Sequence, residues 1–198
     1  MRAFVRSGAA VLLAASLAAC SLSGMLGGGK PPAHLFDLTA DSTAAAPART
    51  VAAGETVTIR VPVISRELRT TRVPVQVNPI IVEYVKDATW VDTPDRLFQS
   101  LLVETVRSTG RVVLHPSQSA LDPGLVVTGE LQSFGYDAQQ GMAVVRYDAS
   151  ISVQGGTELR TRRFEALVPA DGTAATVPQA LNQGANQVAR EVAAWIGG

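Results

Sequence analysis

Hydrophobic and polar residues alternate along much of the chain, a pattern that predicts β-strands with one buried face. The clearest alternation runs over residues 142–153, where alanine, valine, tyrosine and isoleucine fall on one face and arginine, aspartate and serine on the other. Shorter alternating or β-branched stretches predict further strands. These lie at residues 34–39, 57–63, 79–85, 111–115, 125–136 and 158–168.

Three local signals refine the predicted strands. Pro62 indicates a strand end or an edge, because proline cannot donate to a ladder. The sequence DAQQG at residues 137–141 predicts the loop of a hairpin between two long strands. The alternation changes phase near Arg162 and Arg163, which predicts a β-bulge or a bend.

Two segments instead repeat apolar residues at helical spacing. The first begins after a capping residue, Thr93, has Pro94 in its first turn, and ends at Gly110. The second begins after Thr176 and has Pro178 in its first turn. The apolar stripes consist of Leu97, Phe98, Leu101, Leu102 and Val106, and of Val177, Leu181, Ala185, Val188, Val192 and Trp195.

The order of these elements is β-β-β-α-β-β-β-β-α. It predicts a single α+β domain over residues 34–198, in which a mostly antiparallel β-sheet carries two α-helices packed on one face. The whole chain of 198 residues is long enough for one domain with a substantial core.

Composition and charge narrow the classes of function. Seventeen basic and seventeen acidic residues give a formal net charge of zero, which argues against a nucleic-acid partner. One cysteine cannot form an internal disulfide. No apolar stretch reaches the roughly 18 residues that a membrane-spanning helix needs.

The first 19 residues have the pattern of a secretory signal peptide. Arg2 and Arg6 precede a short apolar run over residues 8–19. That run ends in Leu17-Ala18-Ala19-Cys20, which resembles the lipobox of bacterial lipoproteins. The resemblance implies that the thiol of Cys20 receives a diacylglyceryl group and that its new N-terminus is acylated. The alternative is an ordinary cleaved signal that leaves Cys20 as a free thiol.

Residues 20–33 are rich in glycine, serine and proline, which predicts a flexible tether between the lipid and the domain. Ser21 follows the lipobox where aspartate would signal inner-membrane retention in enteric bacteria, and this favours the outer membrane. Residues 24–30 match the glycine and lysine spacing of a P-loop. Two prolines follow in place of serine or threonine and a helix, so we do not expect nucleotide binding there.

No grouping of residues predicts catalysis, a metal site or a cofactor. His34 and His115 are far apart, and no cluster of metal ligands accompanies them. Glu130 and Asp148 could be cross-strand neighbours, the only arrangement here that would suit a hydrolase. We favour a solvated strand face as the explanation of these two carboxylates over a catalytic pair.

Four residues are candidates for a partner interface. Arg160 and Arg162, with Arg163 beside them, could meet an acidic partner or a lipid headgroup, or could protect an exposed strand edge from aggregation. Trp90 and Tyr84 lie close in sequence to the start of the first helix. Core packing is the default expectation for Trp90, and an interface is the alternative.

Several stretches, in order, resemble the ABC-type transport auxiliary lipoproteins, the family of the paraquat-inducible protein C. They are the lipobox ending at Cys20, Phe36-Asp37-Leu38, residues 57–76, residues 80–110 and residues 125–137. The resemblance implies a non-catalytic lipoprotein on the periplasmic face of the outer membrane. It also implies an MCE-domain protein as partner, through which the lipoprotein serves an ABC permease and ATPase in intermembrane lipid transport.

The resemblance further implies that the protein could form homo-oligomers, as some relatives form rings. Apart from the acyl groups on Cys20, it implies no cofactor. The sequence leaves two alternatives open: a structural envelope lipoprotein of another assembly, such as a secretion apparatus, and a hydrolase that uses Glu130 or Asp148.

Overall fold

A computed structural model describes residues 34–41, 50–52, 54–121, 124–153 and 158–197. The predicted signal peptide, Cys20 and the tether lie outside the described residues. The described residues form an α+β domain, as predicted. Its elements are β1 (Val57–Ile59), β2 (Val63–Ile64), β3 (Arg72–Asn78), β4 (Ile81–Thr89), α1 (Pro94–Ser108), β5 (Val113–Leu114), β6 (Leu125–Asp137), β7 (Met142–Val153), β8 (Leu159–Pro169) and α2 (Val177–Gly197).

Strand β6 organises the sheet, because it pairs with other strands on both of its sides. On one side β7 runs antiparallel to it, and β8 runs antiparallel to β7. On the other side β1, β2 and β3 follow one another along β6, each of them parallel to it. Strand β5 lies beyond β1, and β4 forms an antiparallel hairpin with β3. The longest pairings are antiparallel, as expected, but the sheet is mixed.

The predicted bulge in the last strand is wrong. Strands β7 and β8 keep one continuous register from Met142 opposite Pro169 to Ser152 opposite Leu159. Arg160 and Arg162 occupy the same face of β8 as the buried Phe164, so the alternation does not change phase. The irregularity lies in β6, where the register to β7 shifts between Leu131 and Ser133.

The first half of the sheet departs most from the prediction. The strand predicted at residues 57–63 divides at Pro62 into β1 and β2, and the apolar side chains of Val61 and Val63 are exposed. Strand β3 was not predicted. The strand predicted at 79–85 begins two residues later, at Ile81, and extends to Thr89.

Residues 34–39 do not form a strand either. Phe36 makes a single parallel β-bridge with Trp90, through hydrogen bonds from its N–H to the Thr89 carbonyl and from the Val91 N–H to its own carbonyl. Beyond it, α2 holds the segment through buried Asn186. The Asn186 side chain donates to the Thr39 carbonyl at 2.8 Å and accepts from the Asp41 N–H at 2.9 Å. Side-chain hydrogen bonds therefore replace the expected ladder.

Both helices pack on the inner face of the sheet, as predicted. The α1 stripe is buried, and the Phe98 ring meets that of Tyr147 on β7 at 5.1 Å between centroids. Helix α2 packs against β7 and β8, where Gly184 allows a close approach to Val145 and Val168. Thr93 and Thr176 directly precede the helices as expected, but neither hydroxyl caps the helix. The Thr176 hydroxyl bonds to Asp171 instead.

We predict that Gly129→Ala destabilises the domain by about 1–3 kcal/mol, the usual cost of overpacking a core. Gly129 lies in β6, and a Cβ atom there would stand 2.4 Å from the Asp148 carbonyl oxygen and 2.6 Å from the Tyr147 ring. Urea unfolding measures the effect. Gly197→Ala is the control, since a Cβ there has no heavy atom within 4 Å. An unchanged midpoint for Gly129→Ala would contradict the packing described.

A second prediction concerns the Tyr147 hydroxyl, which is buried and has no hydrogen-bond partner among the described residues. Burial also raises the pKa of this phenol well above its ordinary value. Tyr147→Phe removes a buried unpaired group, so we expect unchanged or slightly higher stability, by about 0–1 kcal/mol. A thermal melt tests this, and a clear loss of stability would reveal a bonded partner for the hydroxyl.

Candidate interaction surfaces

The described residues contain no group of three or more histidine, cysteine, aspartate or glutamate side chains placed to hold a metal ion. His115 is exposed just after β5, and its Nδ1 lies 2.8 Å from the Ser117 hydroxyl. His34 is exposed at the start of the described chain. Within the described ranges, therefore, neither histidine belongs to a group that could hold a metal ion.

Glu130 and Asp148 do face each other across β6 and β7, as their positions suggested. Arg163 from β8, however, donates two hydrogen bonds to the Asp148 carboxylate, at 2.6 and 2.7 Å. These bonds hold the pKa of Asp148 below its usual value, so the carboxyl group stays ionised at neutral pH. A general acid needs the opposite shift. The arrangement is that of a cross-strand ion pair.

Arg160 and Arg162 lie on the inner face of β8, near the end of α2. The Arg160 guanidinium stands 5.7 Å from the centre of the Trp195 ring, and Arg162 stands 4.9 Å from that of Phe164. Neither arginine has a carboxylate within 4.0 Å among the described residues. Their cations are therefore held against aromatic rings, and their outer edges are free to meet an anion.

Trp90 is only 1% exposed and packs against Phe134 and Phe36, at 5.6 and 6.3 Å between ring centroids. Trp90 therefore packs in the core, as the default expectation had it. The alternative that it belongs to a partner interface is wrong, because its side chain offers almost no surface to a partner. Tyr84 is half-buried on β4, with the Arg72 guanidinium 4.0 Å above its ring. It presents part of its side chain to solvent.

The structure does not bring the candidate interface residues together. Tyr84 belongs to β4, and the two arginines belong to β8. Strands β3, β6 and β7 separate these two edges of the sheet. At a strand spacing of about 4.8 Å, the edges stand roughly 19 Å apart. Tyr84 and the arginine pair are therefore two surfaces, not one site.

An open groove of about 320 Å³ crosses the outer, helix-free face of the sheet, and sequence patterns gave no sign of it. It runs over β6, between the β3–β4 hairpin and the β7–β8 pair. Gly135 forms part of its floor because β3 crosses closely there, with the Pro74 carbonyl oxygen 2.6 Å from the position of a Cβ. Its walls include Pro74, Val82, Val144, Leu167 and the Arg146–Glu165 ion pair.

The turn of the β3–β4 hairpin is the second feature that the sequence did not predict. Ile80, Ile81 and Val82 are consecutive and are 91%, 43% and 40% exposed. Their β-branched run predicted a strand, which is right for Ile81 and Val82, but it did not predict that these side chains are exposed. Because Val82 also lines the groove, the exposed apolar surface continues from the turn onto the sheet.

Comparison with known families accounts for most of the chain. The family model described as the ABC-type transport auxiliary lipoprotein component matches residues 36–193. The chain belongs to this family. The match begins at Phe36, where the chain first pairs with the sheet, and ends within α2, so the family domain and the described domain coincide.

Solved structures share the fold of this family domain. A DUF330-family protein from Xanthomonas campestris aligns with a TM-score of 0.65 at 18% identity, covering 82% of this chain and 94% of that protein. An uncharacterized protein aligns with a TM-score of 0.58 at 17% identity, covering 80% of this chain and 97% of its own. No curated protein matches the chain.

No helix among the described parts of the family domain has the length and hydropathy that crossing a membrane requires.

We predict that Asp148→Asn lowers stability slightly at neutral pH and not in strong acid. A carboxyl group whose pKa is lowered on folding stabilises the folded state above its unfolded pKa, and this contribution is lost as the pH falls through the folded pKa. Urea unfolding at pH 7 and about pH 2 measures the difference. Glu83→Gln is the control, since that exposed residue forms no ion pair within the described part of the chain. Equal effects at both pH values would contradict the ion pair.

Proposed function

We propose that this protein is a lipoprotein anchored through acylated Cys20 to the periplasmic face of the outer membrane, where it is a non-catalytic auxiliary component of an MCE-type intermembrane lipid transport system. The family match over residues 36–193 carries the proposal, because that family is an auxiliary lipoprotein component of ABC-type transport. The lipobox and tether supply the anchor, and Ser21 favours outer-membrane sorting.

The described surface is consistent with a binding component. Asp148, the carboxylate best placed for acid–base work, is engaged by Arg163. Arg160 and Arg162, which form no ion pair with any described residue, lie at one edge of the sheet, and exposed apolar side chains lie on the hairpin at the other. An auxiliary component of an assembly needs such surfaces for docking more than it needs an enclosed pocket.

Co-purification tests the partner. Light crosslinking of the cell envelope, solubilisation in mild detergent and capture through a C-terminal tag should recover an MCE-domain protein together with the ABC permease or ATPase, identified by mass spectrometry. Recovery of secretion components instead would favour the structural alternative. Capture of this protein alone, under conditions in which other known envelope complexes remain intact, would contradict the transport proposal.

We predict that Cys20→Ala releases the protein from the membrane fraction and abolishes its function without unfolding the domain, because Cys20 precedes the family domain of residues 36–193. Each buried acyl CH₂ contributes about 0.8 kcal/mol to membrane binding, so two or three chains hold firmly. Membrane fractionation and the mass of the purified protein measure the anchor. A fully active, soluble Cys20→Ala protein would contradict this proposal.

Ser21→Asp tests the destination separately in an enteric host. It preserves the lipidated cysteine and introduces the inner-membrane retention signal, so the protein should move from outer-membrane to inner-membrane fractions on a density gradient. An unchanged distribution would contradict sorting by this position.

A further inference from the structure

The tip of the β3–β4 hairpin, residues 79–82, is the most exposed apolar feature of the described domain. Ile80 is 91% exposed at the turn, and Ile81 and Val82 follow it on β4. Three consecutive exposed apolar residues cost solubility and are retained where they serve an interaction. The tip lies outside the core, so packing of the fold does not explain it.

Several polar backbone groups of this turn are hydrogen-bonded to side chains of the same hairpin. The Ile80 N–H donates to the Asn78 side-chain oxygen at 3.0 Å, and Pro79 has no N–H to satisfy. The Gln76 side-chain amide donates to the carbonyls of Asn78 and Ile81. A turn whose backbone is bonded internally can leave water at lower cost, because unpaired peptide groups are expensive in an apolar medium.

The course of the chain places the start of the domain on the same edge of the sheet. Phe36 bridges in parallel to Trp90, just beyond the end of β4, so residues 34–36 run in the direction of β4. The chain therefore approaches Phe36 from the side on which β4 begins, which is the side of the tip. Strand β4 has nine residues and spans about 30 Å.

The predicted tether is long enough to match this distance. Residues 21–33 separate Cys20 from His34, and thirteen extended residues reach about 45 Å. An acyl anchor at Cys20 therefore permits the tip to reach the same bilayer surface. A single-chain tether by itself leaves the orientation of the domain free, and an apolar tip would restrict it.

The edge of β4 is poorly suited to the addition of a partner strand, so lipid is the better candidate to cover the tip. Asp87 has a positive φ of 59°, and the register with β3 is interrupted between Arg72 and Pro74. Lys86 and Asp87 are both exposed there, and charged, irregular edges resist strand addition. At the end of β4, Phe36 already takes the adjoining hydrogen bonds.

We propose that residues 79–82 insert shallowly into the membrane leaflet that holds the Cys20 acyl chains, and that this contact orients the domain on the bilayer. The proposal rests on the lipid anchor under Proposed function. The chain would then contact the membrane at two points. The first is the acylated Cys20 before the domain, and the second is the apolar tip on the sheet. The surfaces on β8, at the opposite edge, are then turned toward other partners.

Depth measurement by spin labelling tests this inference on the full acylated chain. Because the sequence has one cysteine, which acylation blocks, Ile80→Cys introduces a single free thiol for a nitroxide. The protein is reconstituted on vesicles of phosphatidylethanolamine and phosphatidylglycerol. Leu159→Cys is the matched control: it is also apolar and 64% exposed, but it lies at the far end and opposite edge of the sheet.

We expect the label at residue 80 to lose accessibility to a water-soluble nickel chelate and to gain accessibility to oxygen, while the label at residue 159 stays aqueous. Equal, aqueous accessibility at both positions on vesicle-bound protein would overturn the tip contact and leave the anchor intact. Shielding of residue 80 from both reagents would overturn it in favour of a protein partner or a second copy. An unacylated mass with labelling at Cys20 would overturn the anchor, and with it this inference.

Discussion

Strand β6 hydrogen-bonds to neighbours on both sides, and the rest of the sheet depends on that constraint. Twelve of its thirteen residues pair with β7 on one side, while three short parallel strands share the other. At two positions of β6 the neighbouring strands leave no room for a Cβ atom. Gly129 and Gly135 occupy these positions, one against Tyr147 and one against Pro74.

This arrangement also determines where the domain can interact. The helices cover the inner face of the sheet, so the groove opens on its outer face. Strands β4 and β8 lie at two opposite edges of the sheet. One edge carries Arg160 and Arg162 against aromatic rings, and the other carries the apolar hairpin tip. The proposed anchor and tip would place the membrane near the second edge. The first edge would then face the partners of an auxiliary transport component.

Much of the second half of the fold follows from local patterns. Strand β7 alternates cleanly, the loop at 137–141 matches its hairpin signal, and both helices carry continuous apolar stripes. The first half was less predictable because long-range contacts override local preference there. Asn186 holds residues 39–41 without a ladder, and Pro62 divides one predicted strand into two. The arginines of β8 imitate a change of phase because they share a face with buried Phe164 but lie against the rings of Trp195 and Phe164 at the edge of the core.

Local patterns along the chain were enough to predict the α+β class, the two helices and the long hairpin, since each of these depends on neighbouring residues. Three features follow only from the tertiary structure: Trp90 is buried, Arg163 forms an ion pair with Asp148, and Tyr84 and Arg160 lie on opposite edges of the sheet. The tertiary structure also decided that Ile80–Val82 are exposed. Exposure and proximity depend on the order of strands in the sheet, and parallel pairing to β6 sets that order through contacts distant in sequence.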